Sequence, residues 1–538
     1  MTTGKRIAYF CMEYGLHETF PIYSGGLGVL AGDTMKAAAD QACNFVGLGI
    51  LWDEGYTVQK IDPEGRPYDE YPKTPRDKLE KLEVSVEVTI ENRPVALRAY
   101  LLRAFGSAPL YLLEPVAEEH QWITRRLYAG AGKARVAQEL VLGVGGIRLL
   151  RALGHQVDVY HFNEGHALFA GFELMRERMA EGASFDQARE QCRDRIAFTT
   201  HTPVKAGNET HPVDLLLEMG AGLGVMTRDD LIGLAGEPFQ MTVGALRLAK
   251  VANAVAQLHG TTARKMWADV NDGAPIASIT NGIHLGTWQD GRIRELNAQG
   301  GVDQHLWMVH QELKTELIEE IARRTGIKLA VDKLLVGFAR RAATYKRATL
   351  ILRDLAWLEP QLAEGKLQIV FSGKAHPEDH GGKDVVAEIV ALSRKYPNQI
   401  VFLENYDMGL GRVLTRGCDV WLNTPTRPLE ASGTSGMKAA ANGILNVSIL
   451  DGWWDEGCEH GKNGWQFGDA FEGEGADAHD LDALQRVMDS EVIPTYYNDR
   501  NRWVAMMRAA IKTGQTRFSA GRMLSDYFST MYEACGCS

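Results

Sequence analysis

The sequence predicts an α/β protein built on parallel sheets and divided into two main domains. Three observations carry that expectation. Short continuous apolar runs recur at residues 6–11, 157–162, 196–200, 334–339, 367–372, 400–403 and 420–423. They read as buried strands, and each of the later ones is followed by a loop and then a helical pattern, the βαβ signature of a parallel sheet. The runs fall into two groups on either side of about residue 285, and a chain of 538 residues exceeds what one core organises.

The remaining segments follow from this frame. Residues 286–333 are polar and mostly helical, so they read as a connection between domains 1–285 and 334–492. From about residue 493 the pattern is helical, with Trp503, Met506, Met507 and Ile511 at core-packing spacing. These last helices, 493–538, are expected to pack back on the N-terminal domain. The acidic, Gly-rich stretch 472–480 reads as a surface loop.

Composition excludes several classes. Hydrophobic content is 45% and charged content 24%, ordinary for a soluble enzyme. No run of 18 apolar residues is present, so no membrane span is expected. The start, MTTGKRIAYFCMEYG, lacks a signal-peptide plan. A net charge of -11 without a basic stripe argues against nucleic acid. Seven scattered cysteines suit reduced thiols and a cytoplasmic location. Cys535 and Cys537 sit where chain ends fray. His376-Pro-Glu-Asp-His380 and Cys458-Glu-His460 match no zinc spacing, so no catalytic metal is expected.

The most informative segment is Glu430-Ala-Ser-Gly-Thr-Ser-Gly-Met-Lys438. Small residues at a helix start let backbone N–H groups approach an anion closely. A lysine a few residues on can form a Schiff base with an aldehyde cofactor. Read alone, the segment is equally a Gly/Ser-rich turn before a helix. Four cations in eight residues, Arg340, Arg341, Lys346 and Arg347, directly follow the 334–339 run and form a concentrated anion site. Ser24-Gly-Gly-Leu-Gly28 lies between the first strand and an alanine-rich helix, where glycines either free amides for an anion or simply make a tight turn.

EASGTSGMK resembles the pyridoxal phosphate lysine motif of the α-glucan (glycogen, starch, maltodextrin) phosphorylases, and further motifs of that family recur in order along most of the chain. The resemblance implies the GT-B architecture, two Rossmann-like domains facing across a deep cleft. It also implies phosphorolysis of the non-reducing end of an α-1,4-glucan, with retention, by inorganic phosphate to give α-glucose 1-phosphate. Lys438 falls on the cofactor lysine. Thr434 and Ser435 N–H groups fall on the cofactor phosphate, and Arg340 on a lysine that neutralises it. Arg341 and Lys346, within a segment similar to KR-x-x-x-YKR, match the binders of inorganic phosphate, and Tyr345 a sugar-contacting tyrosine. Glu430 and the Ser432–Gly433 backbone match groups holding sugar hydroxyls. Gly25 and Gly26 match the GGLG loop whose amides face the substrate phosphate. His201, in Thr199-Thr-His-Thr-Pro203, resembles the TNHT histidine near the reacting carbon. Asn281, in Thr280-Asn-Gly-Ile283, resembles the TNGI asparagine. His166, in Asn163-Glu-Gly-His166, resembles a cleft histidine.

One departure stands out. The family's ENYR segment reads Glu404-Asn-Tyr-Asp407 here, so an acid replaces a phosphate-binding arginine. Asp407 is expected to turn toward a helix N-terminus or a cation. Arg427, held between Pro425 and Pro428 just before the EASGT loop, is expected to take over the cofactor phosphate; the alternative is a weakened site with loosely held cofactor. The chain resembles the short bacterial form, so AMP control and N-terminal phosphorylation are not carried over, and a homo-oligomer stays open. Two other classes stay open as well: a nucleotide-sugar-dependent GT-B glucosyltransferase similar to glycogen synthase, and a non-catalytic glucan-binding relative.

Overall fold

The computed structural model describes residues 4–298 and 303–536. Cys537 therefore lies outside the described residues, as do residues 299–302 of the expected connection. The chain forms two units. The first holds the residues up to Tyr56, Tyr71–Thr280 and the chain from Ala520; the second holds Thr57–Glu70 and Asn281–Ser519.

Strands β1 (Ile7–Phe10) and β2 (Phe45–Ile50) come first, then a short hairpin, β3 (Val58–Ile61) and β4 (Pro67–Glu70). There follow β5 (Leu79–Ile90), β6 (Arg93–Leu102), β7 (Leu110–Pro115), β8 (Val159–Asn163), β9 (Ile196–Thr199), β10 (Thr210–His211), β11 (Phe239–Gln240), β12 (Val251–Ala254) and β13 (Ile276–Ser278). The first unit's sheet has the order β13-β12-β9-β8-β1-β2-β7-β6-β5. It is parallel from β13 to β7, and β5 and β6 extend it antiparallel. Strands β1, β8 and β9 are buried along their length, which is why they read as unbroken apolar runs. β2 carries Gly47 and Gly49 because neighbours crowd it: a Cβ would come within 2.8 Å of Met35 and Leu110 at the first and of Tyr14 at the second.

The second unit's sheet uses β14 (Leu334–Ala339), β15 (Leu367–Ser372), β16 (Ile400–Leu403), β17 (Val420–Asn423), β18 (Leu445–Ile449) and β19 (Gly464–Phe467). The order is β16-β15-β14-β17-β18-β19, parallel throughout. In both sheets the chain runs outward on one side of a central strand and then returns to the other side. The reversal falls between β1 and β8 in the first sheet and between β14 and β17 in the second. Ligands of open parallel sheets bind beyond the carboxyl ends of the strands at such points.

The hairpin β3–β4 belongs to the second unit although it lies within the sequence of the first. Gln59 exchanges hydrogen bonds with the Ala375 backbone at 2.9 and 3.2 Å. Lys383 pairs with Asp69 at 2.6 Å, and Glu404 accepts from the Ile61 N–H at 2.9 Å. The Lys374 ammonium donates to the Thr57 carbonyl at 2.9 Å.

The C-terminal helices also divide. Arg500–Arg517 packs on Ser435–Ala441 in the second unit, with Trp503, Met506, Met507 and Ile511 buried. Ala520–Asp526 packs on Gly26–Asp40 in the first unit. Cys535 is fully buried, and Lys5 donates to its carbonyl and to that of Tyr532, so the frayed end expected at this cysteine is anchored instead. The acidic stretch needs a correction too. Residues 472–475 are exposed, but Asp477 and Asp480 lie on the helix Ala476–Val487 and pair with Arg347 at 2.9 and 2.6 Å.

Candidate functional site

In the first unit the candidate residues gather beyond β1, β8 and β9. Glu13 follows β1 and is buried at 2% exposure. Its Oε2 accepts from the Ser24 N–H at 2.6 Å and the Gly25 N–H at 3.4 Å; its Oε1 accepts from the Tyr128 hydroxyl at 2.7 Å. Gly26 opens the helix Gly26–Asp40, which has no side-chain cap, and a Cβ at Gly25 or Gly26 would meet nothing within 4 Å. The first-turn amides of a helix have no intrahelical acceptor.

Glu164, after β8, has φ +76 and ψ 166, a conformation that costs a non-glycine residue of order 1–3 kcal/mol. Its carboxylate accepts from the His201 N–H at 2.7 Å, and burial pushes its carboxyl up to about 7. The His201 ring, after β9, hydrogen-bonds through Nε2 to Asn163 Oδ1 at 2.6 Å, and burial, with a smaller contribution from His259, lowers its imidazole to about 3. A neutral ring with the proton on Nε2 fits that acceptor. His166 is placed differently from the expectation. Its ring is 2% exposed and Nε2 accepts from the Met12 N–H at 3.1 Å, so it ties the β8 loop to the β1 loop rather than presenting a polar edge.

The cluster Arg135, Glu139, Glu209 and His211 had no sequence signal. His211 Nε2 lies 3.1 Å from Glu139, and Arg135 stands 2.7 Å from Glu209 and 3.5 Å from Glu139. One ligand atom each of Glu139, Glu209 and His211 lies within 4.8 Å of the others, and the Arg135 guanidinium pairs with both carboxylates.

In the second unit the loops after β14, β17 and β18 converge. Arg340 Nη2 and Lys346 Nζ both donate to Glu430 Oε2, Lys346 at 2.5 Å. Burial disfavours the charge on Glu430, but the two cations outweigh it and hold the carboxyl at about 2. Among the described residues, Arg340 Nε and Nη1 and Ser432 Oγ are buried without a hydrogen-bond partner. Gly433 has φ +74, a left-handed turn that favours glycine and brings it against Glu430. Asp451, after β18, accepts from the Glu430 N–H at 2.9 Å and the Gly452 N–H at 2.8 Å and so fixes the start of the loop. Burial, and then Glu430, push its carboxyl up to about 7.

The Lys438 ammonium lies 3.7 Å from the centroid of the Trp288 ring, and the lysine is 5% exposed. It sits on the helix Ser435–Ala441, whose first residue accepts at Oγ from the Trp421 indole N–H at 3.1 Å. Thr434 immediately precedes that helix. Lys346 also covers the Tyr345 ring at 4.5 Å, Arg341 is exposed, and Asn281 is buried at the start of this unit's main segment.

Asp407 does turn to a helix N-terminus: its carboxylate accepts from the Leu410 N–H at 2.8 Å and caps Met408–Gly417. Arg427 does not have the compensating role expected of it. Its guanidinium pairs with Asp455 at 2.6 Å and Glu472 at 3.0 Å and donates to the Leu450 carbonyl, so its charge is already met. Asp455 and Glu472 are distant in sequence, which is why the local Pro-Thr-Arg-Pro pattern did not reveal them.

Comparison with known proteins gives the family. The family described as carbohydrate phosphorylase matches residues 255–460. The maltodextrin phosphorylase of Thermococcus litoralis is 39% identical over 98% of this chain and 70% of its own length. The glycogen phosphorylase of Aquifex aeolicus is 35% identical over 99% and 86%. An uncharacterised protein of Methanocaldococcus jannaschii is 36% identical over 98% and 100%. Similarity at this level over almost the whole chain, together with the buried lysine and the cation-lined carboxylate, shows that the chain belongs to the carbohydrate phosphorylase family.

Proposed function

We propose that the protein is a pyridoxal phosphate-dependent α-1,4-glucan phosphorylase that releases α-glucose 1-phosphate from the non-reducing end with retention. The observation that carries this reading is the charge balance beside the small-residue loop. Two buried or half-buried cations, Arg340 and Lys346, share one oxygen of Glu430 there, and two Arg340 nitrogens are buried without a hydrogen-bond partner among the described residues. Such a site is incomplete without an anion. A phosphate ester joined to an aldehyde fits it: Lys438 is the amine, and Arg340 with the Thr434 and Ser435 N–H groups would hold the phosphate.

When bound, that cofactor supplies a second phosphate group able to exchange a proton with the substrate phosphate. The chain's own residues do the rest. Lys346 and Arg341 bind inorganic phosphate and offset its repulsion from the cofactor phosphate. Glu430, Ser432 and Gly433 hold sugar hydroxyls, and His201, Asn281 and Tyr345 orient the terminal glucosyl unit. The substrate phosphate gives its proton to the glycosidic oxygen, the C1–O bond breaks, and a phosphate oxygen then bonds to C1 on the same face. No glycosidase-type carboxylate pair is required. The protein works in the cytoplasm.

The test is direct. Purified protein with maltodextrin and inorganic phosphate should yield glucose 1-phosphate. Equal glucosyl transfer from UDP- or ADP-glucose in phosphate-free buffer would replace this reading with the sugar-nucleotide transferase.

A further inference from the structure

The glycine loop of the first unit already holds an anion of its own. Glu13 Oε2 receives the Ser24 and Gly25 amides, and the Ser24 hydroxyl donates to the same carboxylate at 3.1 Å. Tyr128 closes the other oxygen, and Arg135 lies over the Tyr128 ring at 5.1 Å. Gly28 is shaped by this carboxylate: a Cβ there would lie 2.5 Å from Glu13 Oε2. The amides of Gly26, Leu27 and Gly28, at the uncapped start of a 15-residue helix, are left without a side-chain acceptor among the described residues.

We propose that Glu13 is a positioning residue for substrate phosphate: it anchors one half of the glycine loop so that the other half stays open and correctly turned toward the incoming anion. This inference rests on the reading of the Gly25–Gly26 loop as phosphate-facing. The carboxylate takes the two amides that precede the helix, and the loop is thereby held without any ligand. A loop preorganised in this way loses less freedom when phosphate binds. The buried negative charge also opposes a second anion nearby, so Glu13 sets affinity in two opposite senses, by anchoring and by repulsion.

Those two senses separate in two variants. Glu13→Gln keeps one carbonyl oxygen for the Ser24 amide and removes the charge. Glu13→Ala removes both. With saturating glucan, Glu13→Ala should raise the KM for inorganic phosphate about tenfold, the loss of a charge-assisted anchor, with a smaller change in kcat and none in the KM for glucan. Glu13→Gln should restore the wild-type phosphate KM or lower it further. Calorimetric titration of the full chain with inorganic phosphate should show the same order of affinities without reliance on turnover. Tyr128→Phe, which keeps the ring and removes one donor to Glu13, should shift phosphate affinity in the direction of Glu13→Ala by a smaller factor, and it serves if the alanine variant does not fold. Phosphate affinity unchanged in all three variants, or glucan and phosphate parameters worsened equally in both Glu13 variants, would overturn the inference. A wild-type protein that binds phosphate but makes no glucose 1-phosphate would instead overturn the proposed activity and leave the role of Glu13 to the titration.

Discussion

Replacing Glu430 by glutamine should destabilise the second unit through charge rather than shape. The side chain keeps its size, but Arg340 and Lys346, both directed at Oε2, lose their shared counter-ion. Two routes give the magnitude. The carboxyl is held at about 2 against an ordinary 4.5, which corresponds to about 3 kcal/mol of preference for the ionised form in the folded protein. Independently, removing one partner from a buried ion pair costs about 3–5 kcal/mol. For a unit of this size 3–5 kcal/mol is roughly 6–20 °C in melting temperature. The sign with pH follows from a depressed carboxyl. The stabilisation is fully present above 4.5 and is lost as pH falls through about 2, so the gap between wild type and Glu430→Gln should narrow over that window. Thermal melts of the full chain across pH, followed by tryptophan fluorescence, read this directly. Inorganic phosphate should rescue the variant more than the wild type, because an anion can stand in for the lost carboxylate, and adding Lys346→Met should recover part of the loss. A variant melting within about 2 °C of wild type, or one indifferent to phosphate, would refute the charge argument.

Three further outcomes are expected. Borohydride reduction of the holoenzyme followed by peptide mapping should label Lys438, and Lys438→Ala should abolish glucan phosphorolysis with the fold retained; a label on another lysine would dismiss the cofactor assignment. Lys346→Ala should lower phosphorolysis by roughly 2–4 kcal/mol of transition-state stabilisation and raise the phosphate requirement, while chelators leave the rate unchanged. Asp407→Ala should cost about 1 kcal/mol in denaturant unfolding as a lost helix cap, with no gain in phosphate affinity; tighter phosphate binding would return Asp407 to the anion site.

Buried parallel strands were legible because burial on both faces leaves nothing to alternate. Residues 334–339, 367–372, 400–403 and 420–423 coincide with β14, β15, β16 and β17. β2 is absent from the expected apolar runs, since two glycines weaken a strand pattern and their cause, close packing by Met35, Leu110 and Tyr14, lies elsewhere in the chain. The same divide runs through the site. The lysine, the small-residue loop and the cations after β14 are contiguous and could be read directly. The partners of Arg427, the buttress Asp451 and the acid Glu13 on the glycine loop come from distant segments. Asp407 was legible in its direction because an acid before a helix has an obvious use, whereas the substitute supposed for it was not.

The hairpin of residues 57–70 imposes an order on biosynthesis. It leaves the ribosome early, yet the groups that receive it, Ala375, Lys383 and Glu404, are made more than three hundred residues later. At ~5–20 residues per second, the nascent chain carries this segment unpartnered for roughly 15–70 s. Both strands are four residues long, and the hairpin bears Lys60, Glu64, Arg66, Asp69 and Glu70, a short and charged edge that gives neighbouring nascent chains little to pair with. A gene fragment beginning at Asn281 would make the second sheet without the hairpin it receives, and a message broken before codon 404 would leave the hairpin with no complete seat.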